Sequence, residues 1–180
     1  MSVRRRNSWN RISCIAAIVL AVLIALDALP ARADALDDAF PAPHWRRGKV
    51  PNGFGFDCVT DSCGRLAQVV FTLRPANPTM VDNIKSGLIN REWAEKFVAS
   101  THKSRGDTIS VLNFTVQTGQ VPGWSMVYEC KCEGKTNYVA TRTLIGDKGT
   151  MTYNALASTP EAAQQNMNKM ITAMIGASGR

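Results

Sequence analysis

Residues 123–134 read Gly-Trp-Ser-Met-Val-Tyr-Glu-Cys-Lys-Cys-Glu-Gly, an alternation that is almost unbroken. Successive side chains of a strand point to opposite faces, so a period of two specifies a strand. Trp124, Met126, Tyr128, Cys130 and Cys132 fall on one face, and Ser125, Val127, Glu129, Lys131 and Glu133 on the other. The first set predicts a core side, the second a side turned mostly to solvent.

This strand has neighbours of the same kind. Runs at 108–117, 124–132, 136–145 and 150–157 read as strands, with turns at 119–123, 133–135 and 146–149. Links this short force consecutive strands to pair antiparallel, because a parallel return needs a crossover of about a dozen residues or more. The prediction is a four-stranded meander. Ahead of it, Pro51-Asn52-Gly53 signals a turn, residues 54–58 a short strand, and 66–73 a strand rich in Val and Phe. Cys58 and Cys63 would flank the loop of that hairpin. Helical spacing of Met80, Val81, Ile84 and Leu88, and then of Trp93, Phe97, Val98 and Thr101, predicts a helix over 79–102, interrupted near Gly87. Glu92 and Lys96 make an i, i+4 pair on its wet face and need no function. Ser158-Thr159-Pro160-Glu161 carries the cap, the first-turn proline and the capping-box acid of a helix start. Ala163, Met167, Met170, Ile171, Met174 and Ile175 then form one apolar stripe ending at Gly176. The fold class expected is α+β: a hairpin, a helix, an antiparallel meander and a closing helix, with the sheet covered by helices. Residues 51–176 make one domain and 177–180 a frayed tail.

The formal charge of +7 invites a nucleic-acid reading until its location is considered. Residues 1–33 hold Arg4, Arg5, Arg6, Arg11 and Arg32 against Asp27, and the remainder carries 16 basic and 13 acidic residues. A surplus that small is a solubility feature and argues against a nucleic-acid partner. The basic start, the apolar run 12–26 and Ala31-Arg32-Ala33 form the three parts of a secretory signal, with cleavage expected between Ala33 and Asp34. The run is too short for a membrane span, so no span is expected after cleavage. Residues 34–50, with two prolines and no sustained periodicity, read as a flexible arm. Within it, His44-Trp45-Arg46-Arg47 suits either an anionic surface or a Trp packed on its own domain. Gly53-x-Gly55 is no phosphate cradle, since no helix opens after it and no Lys-Ser/Thr follows.

The order of these elements, with Asn-Tyr-Val-Ala-Thr-Arg, Gly-Asp-Lys-Gly, Thr-Met-Thr-Tyr-Asn-Ala and Thr-Pro-Glu in succession, resembles the PsbP-like fold, which includes the DcrB-like small envelope proteins. The resemblance covers residues 66–175 and is one of pattern, so no functional residue is transferred. It implies an antiparallel sheet covered by helices and a non-catalytic accessory or binding role. Four cysteines in the body depart from that group.

Export favours disulfides over free thiols. With Cys14 in the signal, Cys58, Cys63, Cys130 and Cys132 remain, an even set. In an extended strand residues i and i+2 lie about 6.6 Å apart, near the upper limit for bridged Cα atoms, so a Cys130–Cys132 bond would strain the strand. Cross-links from Cys58 and Cys63 to Cys130 and Cys132 are therefore favoured, in undetermined order. The first would contribute roughly 4 kcal/mol by closing a long loop, against about 2 kcal/mol for a local Cys58–Cys63 bridge. The competing reading makes the four thiols a site for Zn or Cu(I), or Cys-Lys-Cys a redox pair, with Met126 on the same face. Met167, Met170 and Met174 read as core rather than copper ligands.

Catalytic constellations are lacking. His44 sits in the arm; His102, Ser104 and Asp107 share a triad's composition, but as neighbours in a turn they lack its geometry. Asp57, Asp61, Glu92 and Glu95 fit turn and surface roles. The expectation is thus an exported periplasmic, disulfide-stabilised protein, no enzyme and without cofactor, that binds an envelope protein or surface. The alternative is a periplasmic metal-binding or thiol-redox protein using the four body cysteines.

Overall fold

The computed structural model describes residues 35–64, 67–102, 107–132 and 134–176. The signal, its Ala33/Asp34 cleavage point, Ser104 and the tail lie outside them. A helical turn over 35–39, α1, precedes strands β1 (Trp45–Val50), β2 (Gly53–Cys58) and β3 (Gln68–Arg74). Helices α2 (Pro78–Lys85) and α3 (Arg91–His102) follow, then β4 (Thr108–Gln117), β5 (Gly123–Cys132), β6 (Lys135–Gly146), β7 (Gly149–Ala157) and α4 (Pro160–Gly176).

All seven strands join one antiparallel sheet in the order β1-β2-β3-β7-β6-β5-β4. β4 to β7 pair in succession, as their short turns require. The N-terminal hairpin does not stand apart from them: β3 pairs with β7 from Gln68↔Leu156 to Arg74↔Thr150. That pairing closes what would otherwise be an open ladder of backbone donors and acceptors along β7.

The expected arm is largely built into this sheet. Residues 45–50 form its edge strand, with Trp45 opposite Cys58, and Leu36, Phe40 and Trp45 are buried. Phe40 stacks on Phe56 and meets Trp45 edge-on, so the indole packs on its own domain. Asn52, at φ 59°, takes the left-handed turn position between β1 and β2. The Arg47 guanidinium lies 4.9 Å from the centre of the Phe54 ring.

The two faces carry separate cores. On one, Phe56, Val69, Ala155, Ala140 and Val127 lie in one row across β2, β3, β7, β6 and β5. α4 packs on that row through Ala163, Met167, Met170 and Met174. Thr159 caps the helix, its hydroxyl accepting from the Ala162 amide at 3.1 Å. Because this face is covered, Val127 is buried and the second side of β5 is not simply solvent-facing. On the opposite face Trp124, Met126, Val111 and Ile145 pack under α2 and α3. These are two helices, not one interrupted helix. Gly87, at φ 76°, ends the first beyond Ser86, and the Asn90 side chain accepts from the Trp93 amide to start the second. α3 ends at His102, over the corner where β4 begins and β5 finishes.

Candidate functional site

That corner gathers four potential ligand side chains, His102, Asp107, Cys130 and Cys132. Ile109 pairs with Cys130 and Thr108 with Lys131, so Asp107, just before β4, comes level with the end of β5. His102 reaches the same point from α3. His102 Nδ1 is 3.4 Å from Asp107 Oδ2 and 4.0 Å from Cys130 Sγ. One donor atom from each of His102, Asp107, Cys130 and Cys132 lies within 4.8 Å of the others. Asp107's side chain is 2% exposed and that of His102 22%. Cys130 is buried and Cys132 half-buried.

The cluster opens on a cleft of about 520 Å³. Cys130, Cys132, His102 and Lys135 line one side; Cys58, Asp57 and Gln68 line it from β2 and β3. The Gln68 amide donates to Asp57 Oδ1 at 2.7 Å. Tyr128 lies beside His102, ring centres 6.2 Å apart, and burial pushes its phenol above the ordinary tyrosine value.

The disulfides differ from the cross-links expected. Cys58 is bonded to Cys63 and Cys130 to Cys132, with Cα separations of 5.9 and 5.4 Å. Both fall inside the usual bridging window. The 5.4 Å is shorter than a fully extended strand allows, because Cys132 sits opposite Lys135 where the β5–β6 hairpin turns, with Gly134 at φ 74°. Cross-linking fails on topology. β3, β7 and β6 separate β2 from β5, four interstrand spacings or roughly 19 Å in a flat sheet. Cys58 nonetheless lines the same cleft as Cys130 and Cys132. The four-thiol metal set is consequently not assembled; His102 and Asp107 stand beside Cys130 and Cys132 in place of Cys58 and Cys63.

His102 and Asp107, five residues apart, do meet. They do not form a nucleophilic relay. A relay needs the carboxylate on one ring nitrogen and the nucleophile on the other, whereas Asp107 and Cys130 both approach Nδ1. The available sequence signal was strand pairing: counting back from the 119–123 turn sets Asp107 beside the Cys-Lys-Cys end of β5. Elsewhere, His44 Nδ1 contacts the Ser62 hydroxyl at 2.9 Å and the Thr60 hydroxyl at 3.1 Å, tying β1's start to the Cys58–Cys63 loop. Met167, Met170 and Met174 are buried core.

No family model and no curated protein matches the sequence. Among solved structures, the chain is similar to the solution structure of cyanobacterial PsbP (CyanoP) from Synechocystis sp. PCC 6803, with a TM-score of 0.50. The identity is 9%, and the match covers 73% of this chain and 81% of that one. At that identity the likeness is one of fold, and the fold is PsbP-like.

Proposed function

We propose that this chain is an exported accessory protein of the cell envelope, a disulfide-bearing PsbP-like domain that acts by binding an envelope protein or surface rather than by catalysis. The observation that carries the reading is the pairing of all four body cysteines into two bridges. Such pairing persists in an oxidising compartment and is rare in the cytosol. The signal-like residues 1–33 support the same location. The shared approach of Asp107 and Cys130 to one nitrogen of His102 supports a non-nucleophilic role. Among the described residues no helix is long and apolar enough to cross a membrane.

Cell fractionation with intact-mass measurement tests this. The expected product is a periplasmic chain beginning at Asp34, about four mass units lighter than the all-thiol form, roughly two for each disulfide. A cytoplasmic chain that keeps residues 1–33 and all five cysteines as free thiols overturns it. In-cell crosslinking of the periplasmic form would then identify what it docks on.

A further inference from the structure

We propose that His102, Asp107, Cys130 and Cys132 form a zinc site when the Cys130–Cys132 pair is reduced. The donors are two sulfurs, one imidazole nitrogen and one carboxylate oxygen, mutually within 4.8 Å. A tetrahedral zinc ion with bonds of about 2.0 to 2.3 Å sets its ligand atoms roughly 3.3 to 3.8 Å apart. The outermost donors must close by about 1 Å, and the two sulfurs, held at about 2.05 Å in the disulfide, must open to about 3.8 Å once reduced. Cys130 and Cys132 lie on one face of a strand end at a Cα separation of 5.4 Å, spaced to chelate a single ion.

Three features of the corner point to a cation. Asp107's carboxylate is almost wholly buried, and among the described residues its recorded partner is one imidazole at 3.4 Å. A buried carboxylate is costly without a closely held positive charge. Second, Asp107 and Cys130 converge on the same nitrogen of His102, which carries at most one proton and cannot donate well to both. A shared cation satisfies all three. Third, the cleft provides an entry path, and Lys135 on its wall offsets the net single negative charge that Zn²⁺ with two thiolates and one carboxylate would carry.

The donor set selects the metal class. Thiolates exclude Mg²⁺ and Ca²⁺, and a carboxylate among the ligands favours zinc over Cu(I). Loading follows a balanced exchange. A dithiol reductant passes two electrons and two protons to the Cys130–Cys132 bond and becomes a disulfide itself; zinc then displaces the two thiol protons to solvent. The oxidised pair has no thiolate to offer.

The test uses the full mature chain, reduced with a dithiol that is removed under argon, and titrated with zinc against a chromophoric chelator. One equivalent should bind with Kd below about 1 μM, and the oxidised chain should bind none. His102→Gln and Asp107→Asn should each weaken binding about tenfold or more, whereas Cys58→Ser with Cys63→Ser should leave it unchanged. Cobalt substitution should give thiolate-to-metal charge-transfer bands lost in Cys132→Ser. Circular dichroism of each variant separates lost binding from lost fold. No stoichiometric binding by the reduced chain, His102→Gln and Asp107→Asn variants that are folded yet bind as the parent does, or dependence on Cys58 and Cys63 overturns the proposal. None of these outcomes bears on export or envelope location.

Discussion

Ile109 faces Cys130 across β4 and β5, and this one register position brings Asp107 to the sulfurs. His102 and Asp107, five residues apart, meet where α3 gives way to β4, and the β4–β5 register sets Cys130 beside them. Removing the imidazole leaves a carboxylate that is 2% exposed without its recorded partner. His102→Ala is expected to cost the oxidised protein about 1–3 kcal/mol, the penalty for stranding a buried polar group. His102→Ala with Asp107→Asn should cost less than the single change, since both members of the pair are then neutralised. Urea unfolding of the parent, the two single variants and the double variant checks this. A double variant as damaged as the sum of its parts would show that the two groups do not interact.

The two bridges are local, so their contribution to stability should be small. Chain entropy gives about 2 kcal/mol for Cys58–Cys63 and about 1.5 kcal/mol for Cys130–Cys132, with sequence separations of 5 and 2. Cys58→Ser with Cys63→Ser should lower Tm by roughly 4–8 °C while keeping the native circular dichroism spectrum. Collapse of the fold on losing this bridge would mean that it acts as a long-range staple, which β2 and β5 are too far apart in the sheet to allow.

Gly123 opens β5 opposite Leu144, and a Cβ there would overlap the Thr143 carbonyl oxygen. The clash is with backbone in a paired strand and cannot be relieved by a rotamer change. Gly123→Ala is expected to cost about 3 kcal/mol or more, against a small cost for Gly119→Ala, whose Cβ meets nothing within 4 Å. Chemical denaturation of the pair measures the contrast.

What was legible in the sequence follows the physics of each signal. Period-two alternation and short turns located β4 to β7 to within a residue or two, because both are local. The capping sequence before Pro160 located α4 for the same reason. The β3–β7 pairing was not legible: it joins segments some 80 residues apart, and neither strand records which edge it will meet. The misreading of 34–50 has the opposite cause. Pro41 and Pro43 mask a tertiary attachment through Leu36, Phe40 and Trp45, whose spacing matches no single regular element. At the candidate site Cys130 and Cys132 were found by type alone. His102 and Asp107 are visible by type as well, but their nearness in sequence does not reveal that Asp107 and Cys130 approach the same ring nitrogen.

Met170 is fully buried at the centre of α4, whereas Ile175 is 60% exposed near its end. Met170→Ala should cost about 2–5 kcal/mol through lost contacts and a cavity. Ile175→Ala should stay within about 0.5 kcal/mol. Thermal unfolding checks both, and neither change should affect zinc binding by the reduced chain. A Met170 variant of undiminished stability would show that α4 does not cover the sheet as tightly as its buried stripe requires.

Tyr128 provides a test in alkali. Its phenol is raised above the ordinary tyrosine value by burial, so the folded chain holds this proton at pH values where the unfolded chain has begun to release it. Between the two values the native state binds more protons than the unfolded state, and unfolding free energy falls as pH rises. The contribution is therefore complete below about pH 10, the unfolded value, and is lost as pH climbs through the folded one. Tyr128→Phe removes the ionisable group from both states. Its stability should fall less steeply above about pH 10 than that of the parent, and the tyrosinate absorbance titration should lose its late-ionising component. Parallel stability profiles for the two proteins in that range would mean that the Tyr128 hydroxyl is in contact with water. The corner between α3 and β5 would then be more open than the packing of Tyr128 beside His102 requires.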